Sequence, residues 1–192
     1  TPTAEKLYGT TKLPFNYNYI DGDFDVTHDN DSQGEHGSHV AGIATANRYV
    51  KTETGFASAL EEVKVQGVAP DAQLITMKVF GKNGGAYDSD YMAAIEDAIL
   101  LGCDAVNLSL GSSSPGNAYS ETYQDFLEQL EDTDTVVAVA AGNAGTWADG
   151  TWNGHLYSDS VSLDMVGSPG SYTNSFTVAS ADNVGYTGQY LT

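Results

Sequence analysis

Runs of continuous apolar residues alternate along this chain with longer stretches in which apolar side chains recur every three or four positions. The first pattern fits strands buried on both faces, the second helices that bury one face. Strands are expected at 15–20 (FNYNYI), at 72–80 (AQLITMKVF, announced by the turn Ala69-Pro70-Asp71), at 104–110 (DAVNLSL), at 135–141 (TVVAVAA) and at 175–181 (SFTVASA). Helices are expected from His36 to about Asn47, from a cap at Asp88 or Ser89 to about Leu101 with Gly102 closing it, and over 121–132. In the last of these, Tyr123, Phe126, Leu127 and Leu130 form the apolar face. The polar segment 47–66, NRYVKTETGFASALEEVKVQ, reads as a loosely helical insert. The remaining punctuation is an acidic loop, DGDFDVTHDNDSQG, then GKNGG, SSSPGNAYS and a Gly/Ser/Asp/Trp-rich loop over about 145–168. Apolar strands separated by helices predict an α/β fold: a three-layer, mostly parallel sheet with helices on both faces. In such sheets functional groups collect beyond the carboxyl ends of the strands, here the loops after Phe80, Leu110 and Ala141.

Composition narrows the partners. The chain has 192 residues, enough for one sizeable core, and no apolar run approaches a membrane span. With 7 Lys plus Arg against 26 Asp plus Glu, the formal charge is −19, which repels phosphate backbones. The few cations are scattered, so a nucleic-acid partner is not expected. Cys103 is the only cysteine, so no internal disulfide can form, and its position entering an apolar run predicts an inert thiol.

Three short stretches carry chemistry. In EHGSHVAGIATAN, 35–47, His36 opens a helix rich in small residues; Gly37, Ser38, Ala41 and Gly42 are expected to let it pack against a neighbouring backbone. A histidine there, flanked by glycine, suits a general base facing a cleft. In AVAAGNAG, 138–145, a buried strand ends at Gly142, and the Asn143 amide is placed to donate to a developing oxyanion. In NLSLGSSSPG, 107–116, and GKNGGA, 81–86, strand ends offer extended edges that can pair with a peptide main chain. Taken singly, each has an ordinary reading: an exposed helix-start histidine, a turn asparagine, two loops.

In order, HGSHVAG, GVAPDAQLITMKVF, DAVNLSLGS, VVAVAAGNAG and GSPGSYTNSFTVASAD resemble the subtilisin family of serine proteases. The lactocepin-like cell-envelope proteinases share in addition a lead-in like KLPFNYNYIDG. The resemblance implies that His36 is the base of a Ser-His-Asp triad and Asn143 the oxyanion donor. In subtilisin itself, loss of that donor costs about 10²–10³ in rate. It further implies that Ser109, Leu110 and Gly111 line one edge of the substrate cleft and Gly84, Gly85 and Ala86 the other. Ala140, Ala141 and Gly142 would form part of the specificity pocket, with Gly167 near its base, and the Ser168–Pro169 bond would be cis. His39, one turn beyond His36, is expected to be a packing residue. A polypeptide substrate, an extracellular or cell-wall location and no required cofactor follow from the same resemblance.

The family's acid and nucleophile are not matched. The expected V-I-D-[ST]-G and G-T-S-M-A motifs are absent, and Tyr19-Ile20-Asp21-Gly22 lies only 15 residues ahead of His36. The chain is therefore expected to be the central segment, 1–192, of one subtilisin-like catalytic domain, inactive alone, whose acid and nucleophile belong to the rest of the same protease. A non-catalytic peptide-binding relative is the alternative. Metal is a further question: His36-x-x-His39 is not the H-E-x-x-H of a zinc helix, whereas Asp21, Asp23, Asp25, Asp29 and Asp31 have the chemistry to hold structural calcium without forming an EF-hand loop.

Overall fold

A computed structural model describes residues 9–29, 31, 34–111, 121–142 and 166–180. They fall into two compact units, one within Thr1–Leu101 and one within Gly102–Thr192.

In the first unit, strand β1 (Asn16–Asn18) pairs in parallel with β4 (Thr76–Lys78), with Asn16, Tyr17 and Asn18 opposite Thr76, Met77 and Lys78. Helix α1 (His36–Thr45) lies between them in sequence. The segment expected to be loosely helical is instead an antiparallel hairpin, β2 (Tyr49–Thr52) with β3 (Gly55–Ser58), followed by a four-residue helix α2 (Ala59–Glu62). Its β-branched and aromatic residues, Tyr49, Val50, Thr52 and Phe56, favour a pleated ribbon. Gly55, at φ 141°, supplies the backbone conformation that its turn needs. Helix α3 (Asp88–Leu100) buries Tyr91, Ala94, Ile95 and Ala98, a three-and-four spacing, and so forms much of this unit's core with Val79 and Ala59. Neither Asp88 nor Ser89 caps it. Tyr87 occupies that position without a side-chain hydrogen bond, and Asp88 and Asp90 lie in the first turn, where the helix dipole favours them. Gly102, at φ 77°, closes the helix as expected.

The second unit is a three-stranded parallel sheet, β5 (Ala105–Leu108), β6 (Val136–Ala140) and β7 (Phe176–Val178), with β6 central. Helix α4 (Glu121–Leu130) precedes β6 and buries Leu127 and Leu130, which with Leu108 and Val139 make the core. All five expected strands form, each shorter than its apolar run. The residues trimmed from the carboxyl ends of the first four carry the loops of interest.

Candidate active site

The acidic loop after β1 is organised by two side chains at paired strand positions. Asn18, 2% exposed, accepts from the backbone N–H groups of Ile20 and Asp21 at 3.1 Å. Its Nδ2 donates to Asp21 Oδ2 and to the Asp25 carbonyl, both at 3.0 Å. Its register partner Lys78 reaches further along the loop, pairing with the Asp31 carboxylate and donating to the Thr27 carbonyl at 3.3 Å. Between those anchors Asp25 Oδ1 accepts from the Thr27 hydroxyl at 2.6 Å and its N–H at 3.0 Å, which holds the Asp25 carboxyl below its usual range. These aspartates thus cap turns and pair with lysine. Among the described residues no three His, Cys, Asp or Glu side chains converge as metal ligands do.

His36 is the first residue of α1 and is exposed. Glu35 precedes it, makes no side-chain cap, and lies between two other imidazoles: its carboxylate oxygens are 3.8 Å from His28 Nε2 and 3.7 Å from His39 Nε2. His39 is thus an exposed partner of Glu35, not the packing residue its position suggested. The helix glycines do not match the expected close packing either. A Cβ added at Gly37 or Gly42 would meet nothing within 4 Å. The close approach is made from the other side, at the far end of α1: a Cβ on Gly67 would stand 2.6 Å from Thr45 Cα, and 67–69 hydrogen-bond to the carbonyls of Ala46, Ile43 and Ala44.

The loop after β4 is a tight backbone turn. Gly84 N–H donates to the Gly81 carbonyl and Gly81 N–H to the Gly85 carbonyl, each at 2.9 Å, with Gly84 at φ 80°. Gly84 and Ala86 are half-buried, and Gly85 is exposed.

In the second unit the expected pocket residues do come together. Gly167 N–H donates to the Ala141 carbonyl at 3.0 Å, and Ala141 N–H to Val178 at 2.9 Å. Gly142 adjoins Gly167, where an added Cβ would make only an ordinary contact at 3.6 Å, but its φ of 91° favours glycine. A Cβ on Gly111 would come within 3.1 Å of the Ser168 carbonyl, and one on Gly170 within 2.8 Å of the Ala140 carbonyl. Residues 167–170 are buried, and the Ser168–Pro169 bond is cis. Ser109 and Leu110 follow β5 half-buried, with Ser109 Oγ accepting from Asn107 at 2.9 Å. Asn143 lies outside the described residues.

Tyr19 and Cys103 are also held away from their ordinary values. Burial and the hydrogen bond to Asp97, at 2.7 Å, push the Tyr19 phenol up. Burial, aided by Asp104, raises the Cys103 thiol, which fits an inert residue. Sequence reading missed the Asn18 hub and the Lys78–Asp31 pair. The available signal was a lysine inside the apolar run ITMKVF, in a chain with only seven cations.

A family model described as the subtilase family matches residues 3–190. Over its whole length the chain is 34% identical to a PII-type proteinase of Lacticaseibacillus paracasei and 35% to a PI-type proteinase of Lactococcus lactis subsp. cremoris, spanning 10% of each. It is 33% identical to the minor extracellular protease Vpr of Bacillus subtilis over 75% of this chain and 16% of that one. Among solved structures, sphericase is similar with a TM-score of 0.56 and 27% identity, over 90% of this chain and 48% of its own. The three-layer α/β fold expected from the apolar pattern agrees with that likeness.

Proposed function

This chain belongs to the subtilase family, and from that premise we propose that it is the part of an extracellular serine endopeptidase that supplies the base, the oxyanion donor and most of the substrate cleft. It spans about a tenth of the curated relatives' length, so the acid and the nucleophile are assigned to other segments of the same protease. A serine Oγ from such a segment attacks the peptide carbonyl, His36 takes its proton and later returns it to the leaving amine, and Asn143 donates to the oxyanion. Gly84–Ala86 and Ser109–Gly111 pair with the main chain of an extended polypeptide, while Ala140–Gly142 and Gly167 receive one side chain. Acyl transfer of this kind needs no cofactor. Calcium, if held in the complete protein, is assigned a structural role.

The observation that carries this reading is the convergence of Gly111, Ala140–Gly142 and 167–170 at the carboxyl ends of β5 and β6. Backbone held this closely at strand carboxyl ends suits a site that presents main-chain groups to an extended peptide. A fluorophosphonate probe on the complete protein tests the reading. Labelling abolished by His36→Ala is the expected result. Absence of labelling in the unaltered protein would leave a peptide-binding relative without catalysis, and labelling unchanged by His36→Ala would remove the base from His36.

A further inference from the structure

We propose that the buried Asp31–Lys78 ion pair is the positioning element of His36, a role that rests on reading His36 as the base. Lys78 ends β4, and its Nζ pairs with Asp31 Oδ2 where the side chains are only 15% and 7% exposed. From there the chain of contacts runs to the start of α1. Asp31 N–H closes a turn on the His28 carbonyl at 3.0 Å. The His28 imidazole stands 3.8 Å from the carboxylate of Glu35. Glu35 immediately precedes His36, and its carbonyl accepts the first helical hydrogen bond, from His39, at 3.0 Å.

Apart from the exposed approach of His39 to Glu35 within the helix's own first turn, no other described contact fixes that end: the N-cap lacks a side-chain bond, and Gly37 has open space where a Cβ would be. The same strand end runs on into the turn at Gly81–Gly85. One lysine therefore sets the base-bearing loop against the strand that leads to a substrate edge, both within the first unit. An ion pair suits this task better than an apolar contact. Burying two charges is costly, but the pair is directional and admits one register, whereas apolar surfaces can slide. Asp31 Oδ1 is buried without a hydrogen-bond partner, so among the described residues Lys78 is the side chain that holds this carboxylate.

The test uses the complete protease, titrated with a fluorophosphonate so that turnover is expressed per competent site. Asp31→Asn and Lys78→Met should each lower kcat per titrated site about 10–100-fold, since a displacement of about 1 Å at a reacting group costs up to about 10². KM should stay within about twofold, because the substrate edges are main chain. The double variant should be no slower than the worse single one, as two residues acting as a unit are non-additive. Asp31→Leu with Lys78→Met, which replaces both charges by apolar groups, guards against simple unfolding and should restore the number of titrated sites without restoring the rate per site. A wild-type rate per site in any of these, or additive losses in the double variant, would overturn the proposal. His36→Ala runs alongside: if it retains wild-type labelling, the catalytic reading itself fails, whereas its inactivity beside wild-type rates in the pair variants sinks only the positioning role.

Discussion

In the loop that leads to His36 the chain is held by side chains, whereas at the ends of β5, β6 and β7 it is held by backbone meeting backbone. Asn18 and Lys78 make six hydrogen bonds to the loop through an amide and an ammonium, Asp21 and Asp31 answer with carboxylates, and the Asp25 carboxylate holds Thr27. In the second unit Gly111 and Gly170 let main chain approach main chain, Gly142 turns the chain at φ 91°, and hydroxyls do little more than tie off carbonyls, as Thr177 does for Gly170 at 2.6 Å. The first arrangement depends on charge and tolerates volume. The second depends on volume and is indifferent to charge. For the peptidase proposed above the division is reasonable: a base must be aimed, and a pocket must have a shape.

The largest expected effect comes from removing one partner of the buried pair. Lys78→Met leaves Asp31 as an uncompensated buried charge and should cost about 3–5 kcal/mol, read as a lower urea midpoint with unchanged m. A loss under about 1 kcal/mol would mean that water reaches the carboxylate and that the loop is held by its turns. The matching volume test is Gly170→Ala. Its Cβ would sit 2.8 Å from the Ala140 carbonyl and 3.2 Å from that of Gly167, so backbone must move, at about 1–3 kcal/mol. That loss should be the same at every pH, because no ionisable group is involved. Gly42→Ala makes the opposite control. It is a helical glycine with open space around it, and replacement should stabilise the chain by about 0.5–1 kcal/mol. Destabilisation would show that α1 is packed more tightly than its exposure indicates.

These expectations separate what was legible in the sequence from what was not. The strands could be read because a parallel strand buried on both faces is continuously apolar: ITMKVF, AVNL and VVAVA announce themselves without tertiary information. The glycine-rich ends could be read because GKNGG and AGN, following such strands, mark turns. The segment 47–66 was misread because Ala, Glu and Lys suggested a helix, and the hairpin signal of alternating Tyr49, Val50 and Phe56 spans only a few residues. His39 and the helix glycines were assigned to packing because small residues on a helix usually face a neighbour, yet here the neighbour's approach is made through Gly67. The Asn18 hub and the Asp31–Lys78 pair join positions 47 residues apart or share a strand register, and neither relation leaves a periodicity to detect. In the acidic loop, composition records the carboxylates but not the amides and hydroxyls that hold several of them.

The smallest expected effect tests the comparison most finely. Thr27→Val keeps the shape of the side chain and removes the hydroxyl that donates to Asp25 Oδ1 at 2.6 Å, leaving the backbone donor at 3.0 Å. Those two bonds depress the folded-state pKa of Asp25, the hydroxyl bond first. A depressed carboxylate contributes stability at pH above its unfolded value, about 4, and loses it as the pH falls through the lower folded value. The difference between the two proteins should therefore be small but measurable at pH 7, shrink below about pH 4 and vanish once both carboxyls are protonated. Gly170→Ala measured in the same buffers should show no such convergence. If the Thr27→Val difference persists undiminished in acid, the hydroxyl acts through packing, and the loop before His36 is held by volume as the pocket is, which would dissolve the distinction between the two regions.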